Sequence, residues 1–292
     1  SSFLKKVISD QEVEAIYKMY KEDKKISDIA KAFGVTNSTI YTRLNRRYGP
    51  LGKERAVNKR KYTVDESFFE IIDTQEKAYV MGWFYSDGSN SVSPNVAKID
   101  VAADSEDILH KIKEAIGSNA RIKPIKNSAN SYAGENAQML YRLGIYNKVV
   151  SKQIAALGIC GNMTYTRTWP EWLSEDLEPH FIRGLIDGDG CISISKKKGF
   201  LIGYWGTAMM CDGLSKVLTK VGVDHKHKID KKGHHYIRIT KQAECLKFAD
   251  YIYNDSTIHL ARKFENYKRM QAIRDEKDIK KRAQKLTSLA MV

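Results

Sequence analysis

An internal repeat constrains the fold of this chain of 292 residues more than any other feature. Residues 78–89 align with residues 180–191, so that Gly82 matches Gly184, Asp87 matches Asp189 and Gly88 matches Gly190. Each copy is followed by the same order of patterns: two strand-like runs, a helix, two more strands and another helix. The sequence therefore predicts two similar α+β units in tandem, at residues 66–167 and 168–272.

The repeated segment is an apolar helix that runs directly into Asp-Gly. A glycine inside a helix costs about 1 kcal/mol relative to alanine unless close packing offsets it. We therefore expect the two helices to cross at Gly82 and Gly184, which would bring Asp87 and Asp189 together. The helix dipole disfavours a carboxylate at a helix C-terminus, and a second carboxylate repels it further. A divalent cation between the two acids would account for such a pair.

The sequences Val80-Met-Gly-Trp-Phe-Tyr-Ser-Asp-Gly88 and Ile182-Arg-Gly-Leu-Ile-Asp-Gly-Asp-Gly190 resemble the paired motifs of single-chain LAGLIDADG homing endonucleases. The resemblance implies an α+β fold with two pseudo-symmetric αββαββα repeats that form a DNA-binding saddle. It also implies that Asp87, Asp189, Gly88 and Gly190 hold Mg²⁺, with Mn²⁺ or Ca²⁺ as substitutes. Asp187 is expected beside this site.

The same resemblance implies a catalytic lysine late in each repeat, near the scissile phosphate. Lys263 matches this position in the second repeat, whereas Met163 stands in the corresponding stretch of the first. Either Arg167 compensates for the missing lysine or this half of the site is weakened.

Alternating residues in the predicted strands indicate one face toward the helices and one toward the bases of DNA. Met139, Tyr141 and Leu143 are expected to face the helices. The candidate DNA contacts are Arg121, Lys123, Gln138, Arg142, Ser193, Ser195, Lys197, Tyr236 and Arg238. Any sheet with one wet face shows such alternation, so each contact stays open. Three tryptophans, Trp169, Trp172 and Trp205, are interpreted as core or interface residues.

Residues 1–49 carry three short helical patterns joined by tight turns, which is typical of a helix-turn-helix domain. On its third helix, the residues expected to reach DNA are Asn37, Ser38, Tyr41, Thr42, Arg43 and Arg46. The alternative is a small helical bundle that binds protein or only packs. Residues 50–65 are predicted to be a basic linker, which either follows phosphates or is a solvated tether, and residues 273–292 a C-terminal helical tail.

The charge balance favours a polyanionic partner: 49 Lys and Arg against 35 Asp and Glu give a net charge of +14. No apolar run is long enough to span a membrane. Together with these features, the LAGLIDADG resemblance implies a monomeric Mg²⁺-dependent DNA endonuclease that cleaves both strands at a long site. We expect it in the cytoplasm, associated with the nucleoid, in a bacterial or phage-infected cell. The alternative is a non-catalytic transcriptional regulator or splicing-assisting protein, and binding of RNA stays open.

Overall fold

The computed structural model describes residues 7–49, 62–126, 139–161 and 166–292. The chain divides into two compact units, Ser1–Lys61 and Tyr62–Val292, and each has its own hydrophobic core. Most of the predicted linker, together with Gln138 and Met163, lies outside the described residues.

The N-terminal unit is all-helical, as the sequence predicts. Its helices are α1 (Asp10–Lys21), α2 (Ile26–Phe33) and α3 (Asn37–Tyr48). Gly34 ends α2 in the left-handed region, with φ of 66°, and the Thr36 hydroxyl begins α3 by accepting a hydrogen bond from the Thr39 amide. The unit's buried residues include Val13, Ile16, Ile29, Ile40 and Leu44.

The second unit repeats one order of elements twice. The first copy consists of α4 (Gln75–Asp87), β1 (Gly88–Val92), β2 (Asn95–Ala102), α5 (Glu106–Ala115), β3 (Lys123–Lys126), β4 (Met139–Ile145) and α6 (Lys148–Ala156). The second consists of α7 (Glu178–Asp189), β5 (Gly190–Ile194), β6 (Phe200–Gly206), α8 (Ala208–Lys220), β7 (Lys226–Ile229), β8 (His235–Ile239) and α9 (Gln242–Tyr253). The predicted pair of αββαββα repeats is confirmed.

The strands form two antiparallel sheets. Sheet A has the order β1-β2-β4-β3 and sheet B the order β5-β6-β8-β7. A last helix, α10 (Ala261–Ala290), follows the second repeat. This helix crosses residue 273, where the sequence predicts the start of a C-terminal tail. The predicted tail is therefore the second part of α10.

Helices α4 and α7 lie at the centre of the second unit. Residues 78–85 and 181–187 are all buried, which explains why the two motif helices are mostly apolar; Arg183 and Asp187 are the charged residues within these runs. The inner faces of the sheets cover them with alternate residues such as Ile99, Leu143 and Ile202. Met139, expected on this inner face, is instead 40% exposed because it lies at the very start of β4. No helix within the described ranges is long and apolar enough to cross a membrane.

Candidate active site and nucleic-acid interface

The two motif helices cross at their internal glycines. A Cβ atom at Gly82 would collide with the carbonyl oxygen of Phe181 and lie 2.8 Å from Cα of Gly184. A Cβ atom at Gly184 would collide in the same way with the carbonyl oxygen of Tyr79. Two backbones approach this closely only where neither residue has a side chain, which offsets the cost of a glycine inside a helix.

The crossing brings Asp87 and Asp189 together. Each is the last residue of its helix, and their carboxyl groups lie close enough for each to affect the ionisation of the other. Burial, together with the charge of Asp189, raises the pKa of Asp87 to about 8, and burial also raises the pKa of Asp189. Two carboxyl groups in such contact cannot both ionise at neutral pH without a compensating cation, so they titrate as a coupled pair.

Lys263 closes the C-terminal end of α7. Its Nζ donates to the carbonyl oxygens of Ile186, Asp187 and Gly190 at 2.6, 2.8 and 2.5 Å. The Ile186 carbonyl also accepts from the Gly190 amide, so the ammonium group adds a donor at this helix end and opposes the negative end of the helix dipole. Burial lowers the pKa of Lys263 to about 8.

Arg167 does the same at the end of α4. Its Nη1 donates to the carbonyl oxygens of Tyr85 and Ser86, and its Nη2 donates to that of Gly88 at 2.9 Å. In the repeat alignment Tyr85 and Gly88 correspond to two of the three residues whose carbonyls Lys263 contacts. Of the two alternatives that follow from Met163, the structure therefore places Arg167 at the site.

The atoms of the acid pair and of its two neighbouring glycines that could bind a metal ion are oxygens. Asp87 and Asp189 offer carboxylate oxygens, which Mg²⁺, Mn²⁺ and Ca²⁺ prefer over nitrogen or sulfur ligands. Gly88 and Gly190 offer only their carbonyl oxygens, and these accept hydrogen bonds from Arg167 and Lys263. Among the described residues, no group of three or more His, Cys, Asp or Glu side chains is arranged to hold a metal. The pair thus fits a hard cation that takes its other ligands from water or phosphate.

A buried polar network supports the second repeat. Asp187 accepts hydrogen bonds from the hydroxyls of Tyr79 and Tyr253 and, at 2.9 Å, from the amide of Leu260, just before α10 begins. Arg183, one turn earlier on α7, donates to carbonyl oxygens of the segment that leads to α10, such as that of Ile258 at 2.9 Å. The sequence predicts Asp187 beside the site, but the role of Arg183 is missed, because an arginine inside a motif carries no sign of burial.

The candidate DNA contacts of the sheets lie on the outer faces, away from the helices, or at their edges. Arg142 and Lys123 are paired across β4 and β3, and Tyr236 and Arg238 lie on β8. Arg121 is exposed just before β3. Ser193 and Lys197 are exposed on β5 and on the turn after it. The Ser195 hydroxyl accepts from the Gly199 amide at 2.9 Å, within the same turn.

Trp205 does not lie where the sequence places it. It is 46% exposed on the outer face of sheet B, because Ile202 and Tyr204 occupy the inward positions of β6. The other two tryptophans of that interpretation, Trp169 and Trp172, do pack against the core.

In the N-terminal unit, α3 turns Ile40 and Leu44 inward and leaves Asn37, Ser38, Tyr41, Thr42 and Arg46 exposed. Arg43 is placed differently from these five residues. Its Nη2 donates to the carbonyl oxygen of Ile8 at 2.8 Å and lies 3.5 Å from Oδ1 of Asp10. The Arg43 guanidinium therefore connects α3 to the start of α1.

Comparison with known proteins gives one family-model match and a set of similar folds. Residues 176–253 match the LAGLIDADG-like domain model, and no curated protein matches the chain. The solved structure of the homing endonuclease I-LtrWI bound to target DNA has 13% identity and a TM-score of 0.47, over 70% of this chain and 91% of that one. I-GzeII in complex with its DNA target has 9% identity and a TM-score of 0.48, over 70% and 91%.

The matched segment contains α7, which carries the second motif and ends at Asp189, and all of sheet B. The resemblance read from the sequence is thus confirmed for the second repeat, where residues 176–253 match a LAGLIDADG-like domain.

Proposed function

We propose that this protein is a site-specific DNA endonuclease that hydrolyses both strands of a duplex with the help of a divalent cation. The observation that carries the proposal is the acid pair, Asp87 and Asp189, brought by two crossing helices to one point between two sheets. The DNA complexes of I-LtrWI and I-GzeII support a duplex as the partner.

The chain's own residues prepare this centre for chemistry on a phosphate. Asp87 and Asp189 would hold the cation, which when bound stabilises charge on the phosphate and makes attack by water easier. Arg167 and Lys263 lower the cost of ionising the acids, because each brings a positive charge to a helix end that already carries a carboxylate. Both cationic side chains are buried beside the acids, so they provide positive charge there without further rearrangement.

The test is Asp189→Asn, which keeps the shape of the side chain and removes its charge. Cleavage in Mg²⁺ should fall at least about 100-fold, the scale for loss of one electrostatic group at such a centre. Affinity for the same duplex should persist, because it comes from many phosphate and base contacts. Strand cleavage is measured on end-labelled DNA and binding by gel shift in Ca²⁺, with Glu265→Gln as a matched loss of one acid elsewhere.

Cutting by Asp189→Asn near the wild-type rate would contradict this assignment. Binding without cutting by the wild-type protein itself would instead favour the non-catalytic regulator.

We further propose that the N-terminal unit adds a second DNA-reading element through the exposed face of α3. Deletion of residues 1–49 should shorten the footprint at one end and leave the cut positions unchanged. Hydroxyl-radical footprints of the two proteins measure this, after circular dichroism has verified that the shortened protein folds. Footprints of equal length would contradict a role for α3 in DNA reading.

A further inference from the structure

The outer faces of the two sheets carry different chemistry at one equivalent row. Gly88 pairs with Ile99 in sheet A and Gly190 pairs with Tyr204 in sheet B, so the next residues, Asp100 and Trp205, occupy equivalent positions. Their cross-strand partners are Arg142 and Tyr236. The third member of each row is a lysine, Lys123 in sheet A and Lys228 in sheet B.

In sheet A this row holds an ion pair. Arg142 Nε lies 2.7 Å from Asp100 Oδ1 and its Nη2 lies 2.9 Å from Oδ2, with both side chains between one quarter and one third exposed. A guanidinium has five N–H donors, and these two bonds use two of them along one edge. The carboxylate therefore fixes the plane of the guanidinium and leaves the Nη1–Nη2 end for another bidentate partner. In a major groove that geometry suits the N7 and O6 acceptors of guanine.

In sheet B the same row holds two aromatic rings. Trp205 and Tyr236 stack with their centroids 5.7 Å apart and their planes 23° from parallel. The indole ring also covers Gly203, where a Cβ atom would lie 3.0 Å from it. This half-exposed aromatic pair has no two adjacent N–H donors that could bind one base. Its apolar surface can instead pack against the C5 methyl group, which only thymine presents in the major groove.

We propose that the two sheets read chemically different half-sites, with Arg142, positioned by Asp100, selecting guanine and the Trp205–Tyr236 pair selecting thymine by its methyl group. The inference rests on the proposed function as a site-specific DNA-binding enzyme. It adds Asp100 and Trp205 to the residues that determine specificity, and it explains why Trp205 is exposed although it is an aromatic residue on a well-packed sheet.

The first experiment selects bound sequences from a randomised duplex pool with the full-length protein in Ca²⁺. We expect one half-site to contain a guanine whose preference falls about tenfold in Arg142→Gln. Asp100→Asn should relax the same preference without weakening total DNA binding, because it also removes a negative charge from a surface proposed to bind a polyanion. A purely structural role of Asp100 would lower affinity for all sequences alike.

The second experiment replaces each thymine of the selected duplex by deoxyuridine, one at a time. In the half-site under sheet B, one replacement should weaken DNA binding by the wild-type protein several-fold. The same replacement should not change DNA binding by Trp205→Ala. Trp205→Phe and Tyr236→Phe keep aromatic rings and are the matched controls.

Deoxyuridine that binds as tightly as thymine at every position would overturn the aromatic half of the inference. A guanine preference that survives Asp100→Asn and Arg142→Gln would overturn the ionic half. If the pool yields no enriched sequence, site-specific DNA binding itself is contradicted and the inference falls with it.

Discussion

The two repeats have one backbone plan but support the ends of their motif helices in different ways. The end of α7 is closed by Lys263, which stands on the regular helix α10. The end of α4 is closed by Arg167, which stands on irregular backbone. The equivalents Asp187 and Tyr85 also differ: the carboxylate collects three hydrogen bonds, whereas the Tyr85 hydroxyl donates to the carbonyl oxygen of Leu157 at 2.6 Å.

What the two halves keep in common is a positive charge at each helix end and a carboxylate beside it. The electrostatics explain this, because either acid without its cation would face a helix dipole and a second acid of the same sign. The surrounding scaffold is free to differ as long as a cationic group reaches the same carbonyls. The comparison therefore predicts that charge and position are essential at the two helix ends, and that the identity of the residue is not.

The largest effect is expected from removing one cation at a time. Arg167→Met should slow cleavage of one DNA strand by about 10²- to 10³-fold, and Lys263→Met should slow the other strand by a similar factor. Each variant would then accumulate nicked circles, with the nick on opposite strands. The measurement is cleavage of a supercoiled plasmid together with separately labelled strands of the target duplex.

Substitutions that keep the positive charge at each helix end are the control for this prediction. Arg167→Lys and Lys263→Arg keep the charge and should retain most activity on both strands. Met163→Lys should change little, because a cation already reaches this half of the site. Equal slowing of both strands by Arg167→Met would show that the two cations do not act on separate half-sites.

Arg167 also shows where prediction from the sequence reaches its limit. The repeat alignment finds both glycines and both acids, and the family resemblance finds Lys263, because these residues lie within regular elements whose spacing is fixed. Arg167 approaches α4 from outside any helix or strand, so its distance along the chain carries no information about the carbonyls it contacts. Alignment therefore points to Met163, although the cation of this half lies on a different residue.

Trp205 gives a second, different lesson. The alternation of Ile202 and Tyr204 with their neighbours already indicates that residue 205 points outward. The expectation of a core or interface tryptophan comes from the residue type, a large aromatic side chain, and not from its place in the strand. In this strand the period of two decides the position of the side chain, and hydrophobicity does not.

A smaller effect, and a symmetric one, is expected at the helix crossing. Gly82→Ala and Gly184→Ala should each lower the free energy of unfolding by about 3 kcal/mol, near the upper end for overpacking, because the new methyl group meets backbone atoms. The two losses should be equal, since each glycine contacts the other helix at the same crossing. Urea unfolding followed by circular dichroism measures both.

Gly199→Ala is the matched control for the crossing. A Cβ atom there would meet only the Ser195 hydroxyl, at 3.1 Å, so stability should change by no more than about 0.5 kcal/mol. If Gly82→Ala is tolerated as well as Gly199→Ala, the helices do not need to approach so closely and the acids are not held by this contact.

A pH-dependent effect is expected at the two acids themselves, and it tests whether they act as one unit. The pKa of Asp87 rises on folding from an ordinary value near 4 to about 8, because the group is buried beside Asp189. An acid with a higher pKa in the folded state favours folding at low pH, and this contribution is lost as the pH rises through the folded value. The metal-free protein should therefore lose stability between about pH 4 and pH 8, and Asp87→Asn should lose less.

The measurement is the unfolding temperature in EDTA across this pH range, compared between the wild type and Asp87→Asn. Because each kcal/mol shifts the unfolding temperature of a protein this size by about 2 to 4 °C, the difference between the two curves is measurable. Added Mg²⁺ should restore stability most strongly near pH 8, because the cation replaces the shared proton. Parallel curves for the two proteins, with no greater effect of Mg²⁺ at high pH, would mean that Asp87 and Asp189 ionise independently and that the crossing helices do not couple them.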